Sequence, residues 1–214
     1  MRDIPAQKLI EGLTWVYDRL SKQKSGAPAP TEDAADAAIR WAAAQAGLVG
    51  FTTGLGGAFT LPISLPINVA GVSAIQIHMV QEIARARGYD LASAQVRTLT
   101  IGCLAGGAVI DALKTAGIGA GTTLTRSLLL QLSGAALKAV NRTVGAKLAT
   151  RAGLMNFGKL VPVVGGVIGG TVDGLSTAAI GAVAKRVFVR DVPPPAPPAL
   201  PTLPRSGPLL EHVA

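Results

Sequence analysis

Charged residues are scarce in this chain. Only 15% of its 214 residues are Asp, Glu, Lys or Arg, against roughly 25% in typical soluble domains. None of these four residue types occurs between Arg40 and Glu82. Because an uncharged apolar stretch is poorly solvated, this segment must be buried in protein, lie at a membrane, or exchange between the two environments.

Cysteine and aromatic residues are also rare. The single cysteine, Cys103, excludes an internal disulfide and a multi-cysteine metal site. It lies between Gly102 and Leu104, which predicts a small buried side chain and not a reactive thiol. Phe, Trp and Tyr make up 4% of the chain, whereas Gly occurs 26 times. A core of such small residues requires close approach of helix backbones, as in membrane bundles.

No segment has the alternating pattern of a β-strand, and helical periodicity recurs along the chain. The sequence therefore predicts an all-α fold, a Gly/Ala-rich helical bundle with apolar helical hairpins. Three parts are expected: an amphipathic N-terminal helix within residues 1–24, a main helical domain over 33–190, and a disordered Pro-rich tail over 191–214. The N-terminal helix is expected to dock on the body, with binding at a bilayer interface as the alternative.

The apolar and amphipathic segments predict individual helices. Their expected ranges are 6–23, 33–48, 44–60, 65–87, 92–116, 122–151 and 161–184. Pro62 and Pro66 predict a bend between two apolar pieces, and Gly88 is expected to end the second piece. Several glycines are expected to let helix backbones approach closely. These are Gly54, Gly102, Gly106, Gly165 and Gly169.

Basic residues are concentrated in the predicted helix over 122–151. The candidates for a membrane-facing basic surface are Lys138, Arg142, Lys147 and Arg151. Beside apolar segments such charges favour an anionic membrane, where each Lys or Arg contributes about 1 kcal/mol. A solvated helix face explains the same charges equally well. Nucleic acid is disfavoured as a partner because no aromatic residues are interleaved with the bases and no nucleic-acid motif is present.

One group of polar residues occurs within apolar helices. It comprises Gln76, His78, Glu82, Asp111 and Asp173. His78 and Glu82 are four residues apart and share a helix face, so with an aspartate they could form a metal site or an acid–base pair. The second histidine of an HExxH zinc motif is missing. Since buried polar residues more often hydrogen-bond to each other and set helix register, no catalytic residue, metal or cofactor is predicted. Alanine at His78 is then expected to lower thermal stability.

Three Gly-rich segments carry a likeness to a known family. They are GFTTGLGGAFTLPISLP (50–66) with the downstream Ala74, Gln76, Met79 and Gly88-Tyr89-Asp90, then TLTIGCLAGG (98–107), and VPVVGGVIGGTVDG (161–174). These segments resemble the EcsC protein family over residues 35–190, so 33–190 is expected to be an EcsC-like helical domain that excludes the N-terminal helix and the tail. The family is named from an operon that also encodes an ABC transporter, and the resemblance implies no catalytic residues.

The apolar segments are too weakly hydrophobic for independent membrane spans and too apolar for an ordinary surface. Asp173, within 161–184, would cost about 2.5–3.5 kcal/mol in a spanning helix. The N-terminus lacks the apolar core of a signal peptide. The sequence thus predicts a cytoplasmic protein peripheral to the inner membrane, with re-entrant insertion as an alternative.

The functional expectation is a non-enzymatic, membrane-associated helical protein, which assists a membrane or transport complex or acts on bilayers. Its expected partner is an anionic membrane surface or a membrane protein complex, and self-association into a homo-oligomer stays open. The alternative is a soluble interaction or cargo module that docks on a scaffold through the tail, residues 191–214. A third hypothesis is a metal-dependent enzyme centred on His78, Glu82 and Asp173.

Overall fold

The protein is described by a computed structural model that covers residues 6–22, 32–55, 57–118, 125–154 and 164–190. Within these ranges there are eight helices and no strand, which confirms the all-α prediction. The helices are α1 (Ala6–Ser21), α2 (Glu32–Leu55), α3 (Gly57–Ala86), α4 (Ala94–Cys103), α5 (Ala108–Thr115), α6 (Arg126–Leu130), α7 (Gly134–Leu154) and α8 (Val164–Val187). The predicted Pro-rich tail, 191–214, lies outside the described residues.

The bend predicted at Pro62 and Pro66 is wrong. Both prolines lie inside α3, which is continuous from Gly57 to Ala86, and α2 ends just before it at Leu55. Pro62 lies just after the first turn of α3. In that first turn the backbone N–H groups have no intrahelical partner. α3 also packs against α2, and tertiary packing of this kind can override local propensity.

Two predicted helices are each divided in the structure. The segment 92–116 forms α4 and α5, because Gly106 adopts a φ of 67° in the turn between them. The segment 122–151 forms α6 and α7. Thr125 Oγ1 accepts a hydrogen bond from Leu128 N at the start of α6, and Ser133 Oγ accepts one from Ala136 N at the start of α7. These side-chain caps satisfy the first-turn donors and so begin a new helix at each position.

Gly88 ends α3 as predicted. Its φ of 77° lies in the left-handed region, which glycine adopts without steric cost. Gly88 N donates to Arg85 O at 2.8 Å, and Tyr89 N donates to Ala84 O at 2.9 Å. These bonds close the carboxyl end of the helix in the manner typical of glycine C-caps.

All eight helices contribute to the hydrophobic core, α2 through its amino-terminal half and α3 and α8 through their carboxyl-terminal halves. α1 docks on this body through Leu13 and Tyr17, both buried. Tyr17 Oη donates to Leu91 O at 2.8 Å, and Gln81 Nε2 donates to Tyr17 O at 3.0 Å. α1 is thus held by both its apolar side and its backbone.

Candidate functional site

The distal halves of α2, α3 and α8 extend beyond the hydrophobic core. We call residues 43–55, 57–73 and 164–176 the distal arm. Among the residues whose burial is described, none of the arm belongs to the core cluster, which begins at Ala42 on α2, Ile75 on α3 and Ile180 on α8. The arm is therefore a helical unit whose apolar residues are not accounted for by the core.

α2 and α8 run antiparallel with their backbones in direct contact. A β-carbon added to Gly170 would lie 2.8 Å from Gly47 O, and one added to Gly50 would lie 2.6 Å from Gly169 O. Further along, a β-carbon on Gly174 would lie 3.3 Å from Ala43 O. Such approach is possible only where both helices present small residues. This contact, which we call the glycine seam, buries the glycine-bearing sides of α2 and α8.

Large apolar residues of both helices are exposed beside the glycine seam, and two of them, Phe51 and Leu55, border it at Gly170 and Gly166. The exposed ones are Trp41, Leu48, Phe51 and Leu55 on α2, and Val167, Ile168, Val172 and Leu175 on α8. We call these eight residues the apolar face. Leu48 is 64% exposed and Leu175 68% exposed. Exposed apolar groups that recur along two adjacent helices mark a site of interaction with protein or lipid.

Charge is absent from the apolar face and returns only at its base. No charged residue occurs in α2 from Trp41 to Leu55, and the only one in α8 from Val167 to Ala184 is the buried Asp173. On α2 the uncharged stretch ends at the exposed Arg40, and on α8 it ends at Lys185, which the exposed Arg186 follows.

Polar contacts join the carboxyl ends of α3 and α8, on the side of the core away from the arm. Arg87 Nη1 donates to Lys185 O and to Phe188 O, both at 2.7 Å. Tyr89 Oη donates to Val189 O at 3.0 Å. These bonds satisfy carbonyl groups at the end of α8, which have no intrahelical partner. The carboxyl ends of α3 and α8 are therefore fixed side by side.

A buried polar contact joins α3 to α8 where the arm meets the core. Gln76 Nε2 donates to Thr177 Oγ1 at 3.0 Å, and Thr177 Oγ1 donates to Asp173 O at 2.7 Å. Asp173 is only 4% exposed, and its carboxylate lies against Gly50 in the glycine seam. These residues hold the register of the three helices.

The five residues of the predicted polar cluster are not brought together. Gln76 and Asp173 share the contact just described, but His78 is exposed on α3 and Glu82 pairs with Arg85 in the same helix. Asp111 is exposed on α5, which packs against α4 and α7. Among the described residues, no group of three or more His, Cys, Asp or Glu could hold a metal ion.

The basic residues of α7 lie away from the apolar face. Lys138, Arg142 and Lys147 are exposed, whereas the side chain of Arg151 lies outside the described part of the structure. α7 packs against α1, α4 and α5 and has no extensive contact with α2 or α8. The sequence pattern placed these bases beside the apolar segments. In the structure the intervening helices separate them.

The predicted packing glycines fall into different environments. Gly54 and Gly169 are buried in α2 and α8, and a β-carbon on Gly102 would lie 2.6 Å from Val109 Cγ2. Gly106 instead occupies the turn after α4, with open space around it, so it does not pack helices. Gly165 lies in α8, with surroundings outside the described part of the structure.

Sequence reasoning missed Gly47 and Gly50. The small residues of α2 recur at intervals of three or four positions, as Ala43, Gly47, Gly50 and Gly54, and this spacing was the available signal. Its match to the glycines of α8 becomes visible only when the two helices are adjacent.

Among the described helices, one segment is long and apolar enough to cross a membrane, Gly166–Val187. Only 33% of its apolar window is buried. Core helices of soluble proteins pass the same test of length and composition. The segment Gly166–Val187 therefore differs from such a core helix in the exposure of its apolar residues and not in its length.

Comparison with known proteins places most of the chain in one family. The family model described as the EcsC protein family matches residues 7–190. The match includes α1, so the expectation that the N-terminal helix lies outside the family is wrong. No curated protein and no solved structure matches the chain.

Proposed function

The chain belongs to the EcsC protein family, and from that premise we propose that it is a membrane-associated helical protein that binds bilayers through the distal arm. The observation that carries this proposal is the apolar face, where large side chains of α2 and α8 stand exposed in an uncharged surrounding. The role requires no catalytic group. The protein would act on the bilayer itself or assist a membrane or transport complex, from the cytoplasmic side of the inner membrane.

The energetics favour lipid as the solvent of the apolar face. Moving a side chain such as Leu48, Leu175 or Val167 from water into an apolar environment contributes on the order of 1–2 kcal/mol. Helical backbone satisfies its own hydrogen bonds except in the end turns, so the inner turns of α2 and α8 can enter lipid without unpaired groups. Several such side chains on one face together offset the free energy of association.

The one acid in the apolar part of α8 does not oppose this role. Asp173 would be costly in lipid if it pointed outward. Its carboxylate instead lies against Gly50 in the glycine seam, and the residue is 4% exposed. The apolar face is therefore free of charge even though the α8 sequence is not.

Vesicle flotation tests the proposal with a matched pair of double variants. Leu48→Gln with Leu175→Gln removes two exposed leucines from the apolar face, whereas Leu128→Gln with Leu130→Gln removes two exposed leucines from α6. The first pair should weaken binding to phosphatidylcholine–phosphatidylglycerol vesicles at least tenfold, at about 1 kcal/mol or more per side chain. The α6 pair should bind like the unaltered protein.

Three results would count against the proposal. The unaltered protein could stay in solution beside vesicles, or the two double variants could bind equally well. Gel filtration supplies the third: loss of a dimer in the variant of the apolar face, with vesicle binding unchanged, would assign that face to a second copy of the chain.

The alternative function, scaffold docking through residues 191–214, is separated by truncation. A chain that ends at Arg190 should float with vesicles as the full chain does. Loss of flotation in the truncated protein would transfer the membrane role from the arm to the tail.

A further inference from the structure

An exposed stripe without charge runs along each of α2 and α8, through the arm and beyond it to a cation. On α2 the stripe comprises Arg40, Ala44, Leu48, Phe51 and Leu55; on α8 it comprises Ile168, Val172, Leu175, Ala179, Ala182 and Arg186. At 1.5 Å per residue, Leu55 lies about 22 Å from Arg40 and Ile168 about 27 Å from Arg186 along the helix axes. These lengths lie between one leaflet and the full hydrocarbon thickness of about 30 Å.

The first charges met from the tip of the arm are positive on both helices. On α2 this charge is Arg40, and on α8 it is Lys185, followed by Arg186. The first acid after Arg40 on α2 is Asp36, which lies one turn beyond it and pairs with Lys185 Nζ at 2.7 Å. This hydrogen bond lowers the pKa of Asp36, and its negative charge is matched there. Arg40 therefore presents positive charge at the base of the apolar face. Because Lys185 pairs with Asp36, Arg186 presents its charge about 8 Å further from the tip.

A tryptophan lies at the level of Arg40. Trp41 follows Arg40 and is 68% exposed. Tryptophan and arginine together are typical of the boundary between hydrocarbon and headgroups, where an amphipathic ring and a long cationic side chain both reach water. The base of the arm has the chemistry of a membrane surface, and the tip has that of the membrane interior.

The placement of charge also disfavours an arm that lies flat on the membrane. Helices that lie in the interface carry Lys and Arg on their polar side along their length. The described parts of α2 and α8 have no cation between Trp41 and Leu55 or between Val167 and Ala184. Within the described parts of these two helices, positive charge lies at one end, which fits entry along the axis of the arm.

We propose that the arm enters the bilayer with the tip formed by Leu55 and Val167 foremost, and that Arg40 and Arg186 bind the phosphate groups of anionic phospholipids at its base. This orientation rests on the proposed membrane binding and adds to it a depth and a lipid class. The basic residues of α7 take no part in it.

Paired charge variants test the lipid class. Arg40→Gln with Arg186→Gln should lower affinity for phosphatidylcholine–phosphatidylglycerol vesicles roughly 25-fold, about fivefold per cation, and leave affinity for pure phosphatidylcholine nearly unchanged. Lys138→Gln with Arg142→Gln removes two exposed cations from α7 and serves as the matched control. An equal loss in both variants, or no loss in the first, would overturn the assignment of the headgroup site. Both pairs are exposed, so unchanged circular dichroism and melting are expected.

Tryptophan depth measurements test the orientation. The chain has two tryptophans, so Trp15→Phe leaves Trp41 as the only one. In that variant, Trp41→Phe combined with Leu48→Trp or Leu55→Trp moves the single tryptophan toward the tip. Lipids brominated near the headgroup should quench the fluorescence of Trp41 most. Lipids brominated near the end of the acyl chain should quench most strongly the tryptophan introduced by Leu55→Trp. Equal quenching in normally floating proteins would overturn the orientation alone. Failure of the full chain to float would overturn the proposed function and the orientation with it.

Discussion

Gly50 of α2 and Gly169 of α8 meet backbone to backbone, with only 2.6 Å between the position of a β-carbon on Gly50 and the carbonyl oxygen of Gly169. Two helices can approach this closely only where neither has a side chain. The contact fixes how α2 and α8 are rotated about their axes. It thereby decides which residues of each helix face outward.

Gly50→Ala should destabilise the protein by about 1–3 kcal/mol, because the added methyl group overpacks the glycine seam. For a chain of this size the melting temperature should fall by roughly 2–4 °C per kcal/mol, followed by circular dichroism. Gly12→Ala is the control: Gly12 lies in α1 with no atom within 4 Å of its missing β-carbon, so alanine should raise stability by about 0.5–1 kcal/mol. An unchanged melting temperature in Gly50→Ala would contradict the seam.

Gln76→Ala should lower the free energy of unfolding more than His78→Ala, because Gln76 is buried and His78 is exposed. Gln76 donates to Thr177 Oγ1, so its loss should cost about 1–2 kcal/mol in denaturant unfolding. His78 is exposed, and its replacement should change the free energy of unfolding by less than about 0.5 kcal/mol. This reverses the expectation from sequence that His78 supports stability. A larger loss for His78→Ala than for Gln76→Ala would refute the assignment.

Tyr17→Phe should change how stability depends on alkaline pH. Burial raises the pKa of Tyr17 from 10.0 to about 12. The unfolded chain therefore loses this proton first, and stability that is complete below about pH 10 is lost between about pH 10 and 12, by up to roughly 2.7 kcal/mol. The variant lacks this loss, although at neutral pH it should be about 1 kcal/mol less stable without the bond to Leu91 O. Denaturant titrations at about pH 9 and pH 11 measure the difference. Parallel loss in both proteins would exclude Tyr17 as the cause.

Cys103 should resist thiol reagents in the folded protein. The residue is buried, and desolvation raises the pKa of its thiol well above the ordinary value, so the reactive thiolate is suppressed. A maleimide should label the denatured chain and leave the native one unmodified over the same time. Comparable labelling rates would show that α4 opens readily.

Composition and periodicity predicted the helical class and the end of α3 at Gly88, because both depend on local backbone preference. The positions at which helices break were not predicted by local backbone preference alone. Pro62 and Pro66 lie inside the continuous α3, whereas two helices that periodicity predicted as continuous are divided near Gly106 and Ser133.

The candidate site was predictable only in outline. Gln76 and His78 are two residues apart, and such residues lie on opposite sides of a helix. Once α8 covered Gln76, His78 had to face outward. Sequence spacing placed these residues in one cluster because it could not show which side of α3 would be covered.

The sequence by itself determined that the chain is helical, that it belongs with the EcsC family, and that two long stretches avoid water. Tertiary structure decided which side of each stretch is buried. α2 and α8 are apolar on their small-residue side and on their large-residue side, so hydrophobicity does not choose between them. Backbone contact does, because the glycines of the two helices fit together at a distance that large side chains forbid. Leu48, Leu175 and Trp41 are left on the outside for that reason.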